Sequence, residues 1–300
     1  NFWLEAGILA DNGSGKSGYS KAGVGEKESD ALAFKRRATV GLSGNFGEVR
    51  MGRELTAAYN ATSRYDVFGQ VGFGVSRLWS DAAIGAGAAA VATTNQRVSN
   101  MVTYVSPSFS GFKASVNYGF GEQTASNRDG RYFGAGLTYD NGPLSLGLSA
   151  ERLNRGATIV GTVNLTKADV TAWALGGSYD LGVAKLAAAY RDSKAKFVGG
   201  DSDKTKGYYI GVSAPVGAAG EVKASYNRYE NKFDGGAKLK ADQFALGYVH
   251  NLSKRTAVYG TYAYIKNKDD GALGITLQSG VALKDNGSQH GLQVGVRHSF

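Results

Sequence analysis

Apolar and polar residues alternate with a period of two along most of the chain. Between Leu144 and Ala150, leucine and alanine occupy every second position, and serine and glycine occupy the positions between them. This period places successive side chains on opposite faces of a β-strand. The same alternation recurs in segments that begin at Phe112, Phe133, Ala184, Phe244 and Leu292. The chain is therefore predicted to be all-β.

The spacing of turn residues predicts about fourteen strands whose connections alternate between short and long. The strands are expected near residues 1–10, 31–43, 48–56, 97–107, 112–121, 131–140, 143–152, 168–180, 183–193, 206–215, 220–230, 239–250, 254–267 and 288–300. Short connections such as Asn141-Gly142 have hairpin chemistry. Alternation alone also fits a soluble β-sandwich, but short turns at one rim and long loops at the other favour a transmembrane antiparallel β-barrel.

Composition removes several other classes of protein. The chain has 44 glycines among 300 residues, three prolines, three histidines and no cysteine. Without cysteine there is no disulfide framework and no thiolate metal site. With so few histidines, a catalytic or metal centre has little to be built from. We expect a single domain over residues 1–300, no enzymatic activity and no cofactor. A barrel that carries a protease or lipase site is the enzymatic alternative, and an adhesive barrel is the structural one.

A relaxed phosphate-loop pattern spans Ala10 to Ser17 and ends in Gly-Lys-Ser. A nucleotide-binding loop of this kind must be followed by a helix, whose N-terminus binds the phosphates. The residues that follow, from Gly18 to Gly25, have no apolar period and too many glycines for a helix. We therefore interpret the motif as a solvated surface loop.

The longest predicted loop covers residues 57–96. Forty residues of loop in a compact domain are uncommon unless they serve a function. The middle of this loop is small and apolar, and its first part contains Tyr65, Asp66 and Phe68. We expect the loop to fold into the lumen, with Asp66 at the pore constriction. An external flap is the alternative, and periodicity does not separate the two.

Charge indicates the selectivity of such a pore. The chain has 34 basic and 25 acidic residues, a net charge of +9. Basic residues flank the long loop, among them Arg36, Arg37, Arg53 and Arg97. Guanidinium groups that face a narrow lumen attract anions, so these four are predicted to line the constriction. A solvated basic surface that binds anionic lipid is the alternative. Alternation does not fix which of Arg36 and Arg37 faces the lumen. Nucleic acid is not expected as a partner, because the basic residues form no helix or ribbon.

Four segments carry a resemblance to a known family. They are residues 34–53, which contain Lys-Arg-Arg-Ala-Thr-Val-Gly-Leu, residues 104–112, residues 247–256, and the terminal Val-Gly-Val-Arg-His-Ser-Phe of residues 294–300. These segments resemble the general porins of β-proteobacteria, including their anion-selective members. The similarity extends over essentially the whole chain.

The resemblance implies a sixteen-stranded barrel that assembles as a homotrimer in the outer membrane of a Gram-negative cell. Its third loop folds into the lumen opposite a ladder of arginines. Carried over by position, Arg36 and Arg97 match two ladder arginines, Glu5 matches an acidic lumen residue, and Phe300 matches the assembly signal. The implied partners are outer-membrane lipid, lipopolysaccharide and small inorganic and organic anions.

Two departures from the family pattern matter. The third ladder arginine lies on the second strand of the family, which this sequence lacks. A lysine that the family uses in a funnel falls near Ser279, with Lys284 as the nearest substitute. We expect a barrel without its first two strands, and a closed fourteen-stranded barrel is the alternative. The expected function is passive diffusion of small solutes with a preference for anions. A substrate-specific channel with a dedicated anion-binding site is the alternative.

Overall fold

The computed structural model describes residues 1–8, 33–79, 96–121, 126, 128–160, 163–165, 167–275 and 286–300. The phosphate-loop-like motif at 10–17, Ser279 and Lys284 lie outside these residues.

The described residues form sixteen strands, most of which belong to one antiparallel sheet. The strands are β1 Phe2–Glu5, β2 Arg37–Gly44, β3 Gly47–Leu55, β4 Arg97–Val105, β5 Phe112–Gly119, β6 Tyr132–Asn141, β7 Leu144–Arg155, β8 Thr158–Val160, β9 Val163–Leu165, β10 Ala168–Asp180, β11 Lys185–Phe197, β12 Ser202–Val216, β13 Gly220–Lys232, β14 Lys238–Asn251, β15 Thr256–Lys268 and β16 Ser288–His298.

Fourteen of the strands pair in chain order from β1 to β16, and β8 and β9 form a separate hairpin. The predicted strand number and the all-β class are confirmed. The β8–β9 hairpin is a difference, because the sequence predicted a loop over residues 153–167. Four of its six residues are β-branched, Thr158, Ile159 and Val160 of β8 and Val163 of β9, a composition that favours strands.

The two faces of the sheet differ as the alternation predicted. On β7, Leu146 and Leu148 are exposed, whereas Gly147 and Ser149, each of which follows one of these leucines, are buried. Large apolar side chains are exposed on the same face of most other strands. In a transmembrane barrel this apolar face contacts lipid and the other faces the lumen. We call the two sides the outer face and the polar face. Among the described residues, no helix is long and apolar enough to span a membrane.

The connections at one rim are short. Gly142, Gly182 and Gly217 stand in three of these turns with positive φ angles of 54°, 79° and 62°. Glycine adopts this conformation without steric cost, which allows a tight reversal between paired strands. We call this edge the short-turn rim and the opposite edge the long-loop rim.

The long loop has a defined structure over residues 57–79. It opens with helix α1, Ala57–Thr62, followed by two short 3-10 turns, Ser63–Tyr65 and Arg77–Trp79. The backbone N–H of Tyr59 donates to the Thr56 hydroxyl 3.3 Å away, which caps the helix. We call residues 57–79 the covering loop, because they pack on the polar face of the sheet.

Glycines on the polar face let the covering loop approach closely. A Cβ added at Gly136 would lie 2.6 Å from the carbonyl oxygen of Ala57, and one at Gly247 would lie 2.8 Å from the ring of Phe68. Either substitution would displace the loop. The glycines in such contact come from six strands and are Gly136, Gly147, Gly176, Gly207, Gly211, Gly247 and Gly291.

Candidate functional site

The candidate site is the part of the polar face where the covering loop meets strands β1–β4. The loop supplies one side of it, and the charged side chains of β1–β4, which we call the charged wall, supply the other.

Asp66 organises a turn within the covering loop. Its carboxylate accepts hydrogen bonds from the backbone N–H groups of Phe68, Gln70 and Ser76 at 3.0–3.2 Å and from the Gln70 amide at 2.7 Å. The hydroxyl of Tyr209 on β12 is 3.3 Å away. Burial raises the pKa of Asp66, and the backbone donors oppose this shift. The structure thus places Asp66 inside the loop, where the residue is 4% exposed and its carboxylate is surrounded by donors.

Polar side chains of the sheet hold the backbone of the covering loop. The Val67 N–H donates to the Tyr209 hydroxyl at 2.8 Å, and the Arg77 N–H donates to the Tyr229 hydroxyl at 2.7 Å. The Gln243 amide on β14 donates to two carbonyls of the loop, those of Phe73 and Val75, at 3.2 and 3.1 Å. These bonds satisfy polar backbone groups that the loop buries against the sheet.

An apolar cluster lies beside these hydrogen bonds, between the covering loop and the sheet. Phe68 from the loop packs with Tyr229, Ala245 and Ile265 from β13, β14 and β15, and with Leu273 and Ile275 from the segment after β15. The Arg77 guanidinium donates to the carbonyl oxygens of Gly274 and Ile275 at 3.2 and 2.6 Å. Apolar side chains of the sheet thus enclose Phe68 on this side of the polar face.

The charged wall has the opposite character. Arg50 on β3 lies between two carboxylates, 2.5 Å from Glu48 and 3.0 Å from Glu54. Glu54 is buried and also lies 3.4 Å from the guanidinium of Arg37 on β2. Arg37 in turn stacks over the ring of Trp3, 4.7 Å from its centroid. The Glu54 carboxylate is thus shared by two guanidinium groups, which hold it in one position.

Strand register settles how Arg36 and Arg37 are placed. Arg37 lies directly opposite Glu5 of β1 and has the phase of Thr39, which is buried on the polar face. Arg36 precedes the strand and has the opposite phase, but its guanidinium contacts the Glu5 carboxylate. The Arg36 side chain therefore pairs with Glu5, whereas Arg37, which is opposite Glu5 in the strand register, pairs with Glu54.

Arg53 and Arg97 join this cluster through the backbone. Arg53 donates to the carbonyl of Lys35 at 2.6 Å, and Arg97 on β4 donates to the next carbonyl, that of Arg36, at 3.0 Å. The ladder between β3 and β4 shifts register between Gly52 and Glu54, where Ser99 and Asn100 of β4 stand opposite Arg53 alone, so that the extra residue of the bulge is on β4. A bulge reverses the direction of side chains along its own strand, which is why alternation along β4 did not place Arg97.

A cavity of about 250 Å³ separates the charged wall from α1. Three basic residues line it: Arg50, Arg64 of the covering loop, and Lys113 of β5. Arg64 forms a bidentate pair with Asp140, at 2.9 and 3.1 Å. Lys113 is exposed, and within the described part of the chain it forms no ion pair. The remaining lining is mainly hydroxyl and amide groups, from Asn60, Thr103, Ser115, Asn117 and Thr138.

The structure brings most of the predicted site residues together. Glu5, Arg36, Arg37, Arg53 and Arg97 form one contact network at the long-loop ends of β1–β4. Asp66 is bonded within the loop and to β12 instead. Phe300 follows β16 at the short-turn rim, where it is fully exposed and its ring lies 4.8 Å from that of His298.

Sequence reasoning missed the residues that anchor the loop and the acids of the charged wall. Tyr209, Tyr229 and Gln243 all have the phase of the polar face, and large polar residues at buried positions of that face were the available signal. Along β3, Glu48 precedes Arg50 by two residues and Glu54 follows it by four. An even spacing places these acids on the same face of the strand as the arginine.

Comparison with known proteins identifies the family. The model of the Gram-negative porins matches residues 1–270. Outer membrane porin protein 32 of Delftia acidovorans is 43% identical over an alignment of 307 residues, which covers all of this chain and 79% of that protein. An outer membrane porin protein of Bordetella pertussis is 34% identical over 248 residues, 70% of this chain and 61% of that protein.

Solved structures agree with this result. The anion-selective porin from Comamonas acidovorans superposes with a TM-score of 0.82 at 39% identity, covering all of this chain and 84% of that one. The trimer form of OmpT, an outer membrane protein of Vibrio cholerae, superposes with a TM-score of 0.64 over 88% of this chain and 80% of that one. At 19% identity, this second match shows the fold alone.

Proposed function

The chain belongs to the Gram-negative porins, passive channels of the outer membrane rather than enzymes, and from that premise we propose that it prefers small anions. The observation that carries this proposal is the composition of the charged wall. One contact network holds more arginines than carboxylates: Arg36, Arg37, Arg50, Arg53 and Arg97 against Glu5, Glu48 and Glu54. An excess of fixed positive charge beside a narrow path favours anions and opposes cations.

The proposal includes the position of the long loop. We infer that residues 57–96 fold into the lumen and narrow it, as the third loop of a single barrel domain. Support comes from the covering loop, which packs on the same face as the charged wall and is held there by side chains of β12–β14. The preference for anions also has support in the name of a similar protein, the anion-selective porin from Comamonas acidovorans.

The proposal extends to partners. We infer a homotrimer in the outer membrane, in contact with its lipid and with lipopolysaccharide, that conducts small inorganic and organic anions. A trimer form is described for OmpT of Vibrio cholerae, which shares the fold. Phe300, exposed after the last strand, is proposed as the assembly signal.

A substrate-specific channel is a second candidate, favoured by the cavity beside α1. Arg50, Arg64 and Lys113 line this cavity together with hydroxyl groups, a donor set that suits a small carboxylate or phosphate. A dedicated binding site predicts flux that saturates at low concentration for one solute. A general porin predicts flux that rises in proportion to concentration.

Reversal potentials in planar bilayers under a potassium chloride gradient test the anion preference. We expect the sign of an anion-selective channel, and the opposite sign would refute the proposal. In the double variant Arg36→Ala/Arg97→Ala, we expect the anion-to-cation permeability ratio to fall about threefold, since a change of roughly one kT in local potential has this effect. Arg152→Ala is the matched control, because Arg152 has the phase of the exposed Ala150 on the outer face. If both variants behave alike, the charged wall does not set the selectivity.

A further inference from the structure

Four lysines stand side by side on the outer face near the long-loop rim. Lys194 of β11 is directly opposite Lys204 of β12. Lys204 is opposite Lys232 of β13, which is opposite Lys238 of β14. All four are exposed, and no ion pair to another described residue involves any of them. We call this set the lysine row.

The row next to it, two residues closer to the middle of each strand, alternates in charge. Asp192 is opposite Lys206, and Lys206 is opposite Glu230. Glu230 is opposite Lys240. The ammonium group of Lys206 lies 3.5 Å from the Asp192 carboxylate. Opposite charges that face each other across strands stabilise a sheet, whereas like charges in the same arrangement destabilise it. The alternating row is therefore neutralised within the protein, and the lysine row is not.

Aromatic rings locate both rows relative to the membrane. Trp173, Tyr190 and Tyr208 stack on the outer face with centroid distances of 5.1 and 5.0 Å. Such aromatic residues mark the boundary between the apolar core of a membrane and its headgroups. Tyr190 precedes Lys194 by four residues, roughly 13 Å along a strand. The lysine row thus lies beyond the boundary, at the level of the headgroups.

We propose that the lysine row binds the phosphorylated headgroup of lipid A, the membrane anchor of lipopolysaccharide. The long loops of an outer-membrane barrel face the outside of the cell, where this lipid forms the leaflet. Four adjacent ammonium groups suit a headgroup with two phosphates, because each phosphate can accept from more than one lysine. The inference deepens the lipid contact in the proposed function and rests on the orientation in the membrane, not on ion selectivity.

Lipid binding to the purified, detergent-solubilised protein tests the inference. Native mass spectrometry would follow titrations with bisphosphorylated lipid A and with the same lipid after removal of both phosphates. Lys204→Gln/Lys232→Gln removes the central pair of the row. Lys254→Gln/Arg255→Gln is the matched control, because it removes two exposed charges at the opposite, short-turn rim.

We expect the wild type and the control to bind bisphosphorylated lipid A equally. The central pair variant should bind about 25-fold more weakly, which corresponds to about fivefold for each lysine. Removal of the phosphates should reduce binding by the wild type to a similar degree. Equal binding by wild type and central pair variant, an equal loss in the control, or equal binding of the lipid without phosphates would each overturn the inference.

A melting experiment separates lost binding from lost folding. Without lipid, Lys204→Gln/Lys232→Gln should melt at the same temperature as the wild type or higher, because it relieves repulsion between like charges. Lipid A should then stabilise the wild type more than the variant. An equal shift in both would contradict a role for the row. The variant should keep the reversal potential of the wild type, so that failure of the anion preference and failure of this inference are distinguishable.

Discussion

On strands β12–β16 the polar-face side chains hold the covering loop, whereas on strands β1–β4 they hold one another. Tyr209, Tyr229 and Gln243 bond to loop backbone atoms beside an apolar cluster. Arg37, Arg50 and Glu54 form ion pairs within the wall. The same alternation of strand residues thus builds two different surfaces, one that binds the covering loop and one that is charged.

The difference bears on the proposed constriction, which requires both a loop held in place and a charged surface beside it. A buried loop needs partners for its backbone groups, and neutral hydroxyls and amides provide them at little desolvation cost. The proposed constriction needs charge that keeps its position, which ion pairs within β3 and between β2 and β3 provide. The sheet separates these two tasks onto different strands.

Removal of Glu54 is expected to have the largest effect on the charged wall. Glu54→Gln leaves Arg37 and Arg50 without their shared carboxylate at a position that is 5% exposed. Loss of one partner of a buried ion pair costs about 3 kcal/mol. The free energy of unfolding, from denaturant titration in detergent, should fall by about this amount, and the anion preference should rise because a negative charge is lost.

The control for this experiment is Glu221→Gln. Glu221 lies 3.3 Å from Lys223 on β13, but its side chain is more than one third exposed. Exposed pairs contribute about 0–1 kcal/mol, so the control should have little effect on stability. A Glu54 variant as stable as this control would mean that the wall does not depend on its internal ion pairs.

A bulky residue under the covering loop tests the other surface. Gly136→Val places methyl groups where Ala57 and Ala61 already lie within 2.7 Å of a Cβ. Overpacking of this kind costs about 1–3 kcal/mol. Because the loop is the element that must shift, we also expect altered single-channel conductance in planar bilayers.

Gly260→Val is the matched control for the loop. It makes the same change on β15, where no atom outside the immediate chain neighbours approaches a Cβ closer than 4.0 Å. This variant should retain the conductance of the wild type. If Gly136→Val also retains it, the covering loop does not shape the conducting path.

Much of the sheet could be predicted from the sequence, and the reason is local. Alternation and turn chemistry depend only on residues that are neighbours in sequence. The β7 strand and the Asn141-Gly142 turn could therefore both be predicted. The contacts between the covering loop and the sheet could not be predicted, because their partners are far apart in sequence. Val67 and Tyr209, for example, are 142 residues apart. A pairing at that distance depends on the assembled sheet, and no local pattern encodes it.

The candidate site was predictable only in part. The clustering of Arg36, Arg37, Arg53 and Arg97 near the long loop was visible as a charge pattern. The direction of Arg97 was not, because a bulge on β4, opposite Arg53, breaks the alternation of that strand. Asp66 illustrates the same limit, since an acidic residue in a loop gives no sign of whether it faces solvent or the loop's own backbone.

The smallest expected change in stability comes from the ion pair between Arg64 of the covering loop and Asp140 of the sheet. Arg64 and Asp140 are both more than 40% exposed, so Arg64→Gln should lower the free energy of unfolding by less than about 1 kcal/mol. Arg64 and Lys113 both line the cavity beside α1. The transport properties of a variant that lacks both charges therefore discriminate between the two candidate functions. In a general porin, Arg64→Gln/Lys113→Gln should change the flux of chloride and of a small dicarboxylate to the same extent. In a channel with a dedicated site, only the dicarboxylate flux should lose saturation, which liposome uptake over a range of solute concentrations would measure.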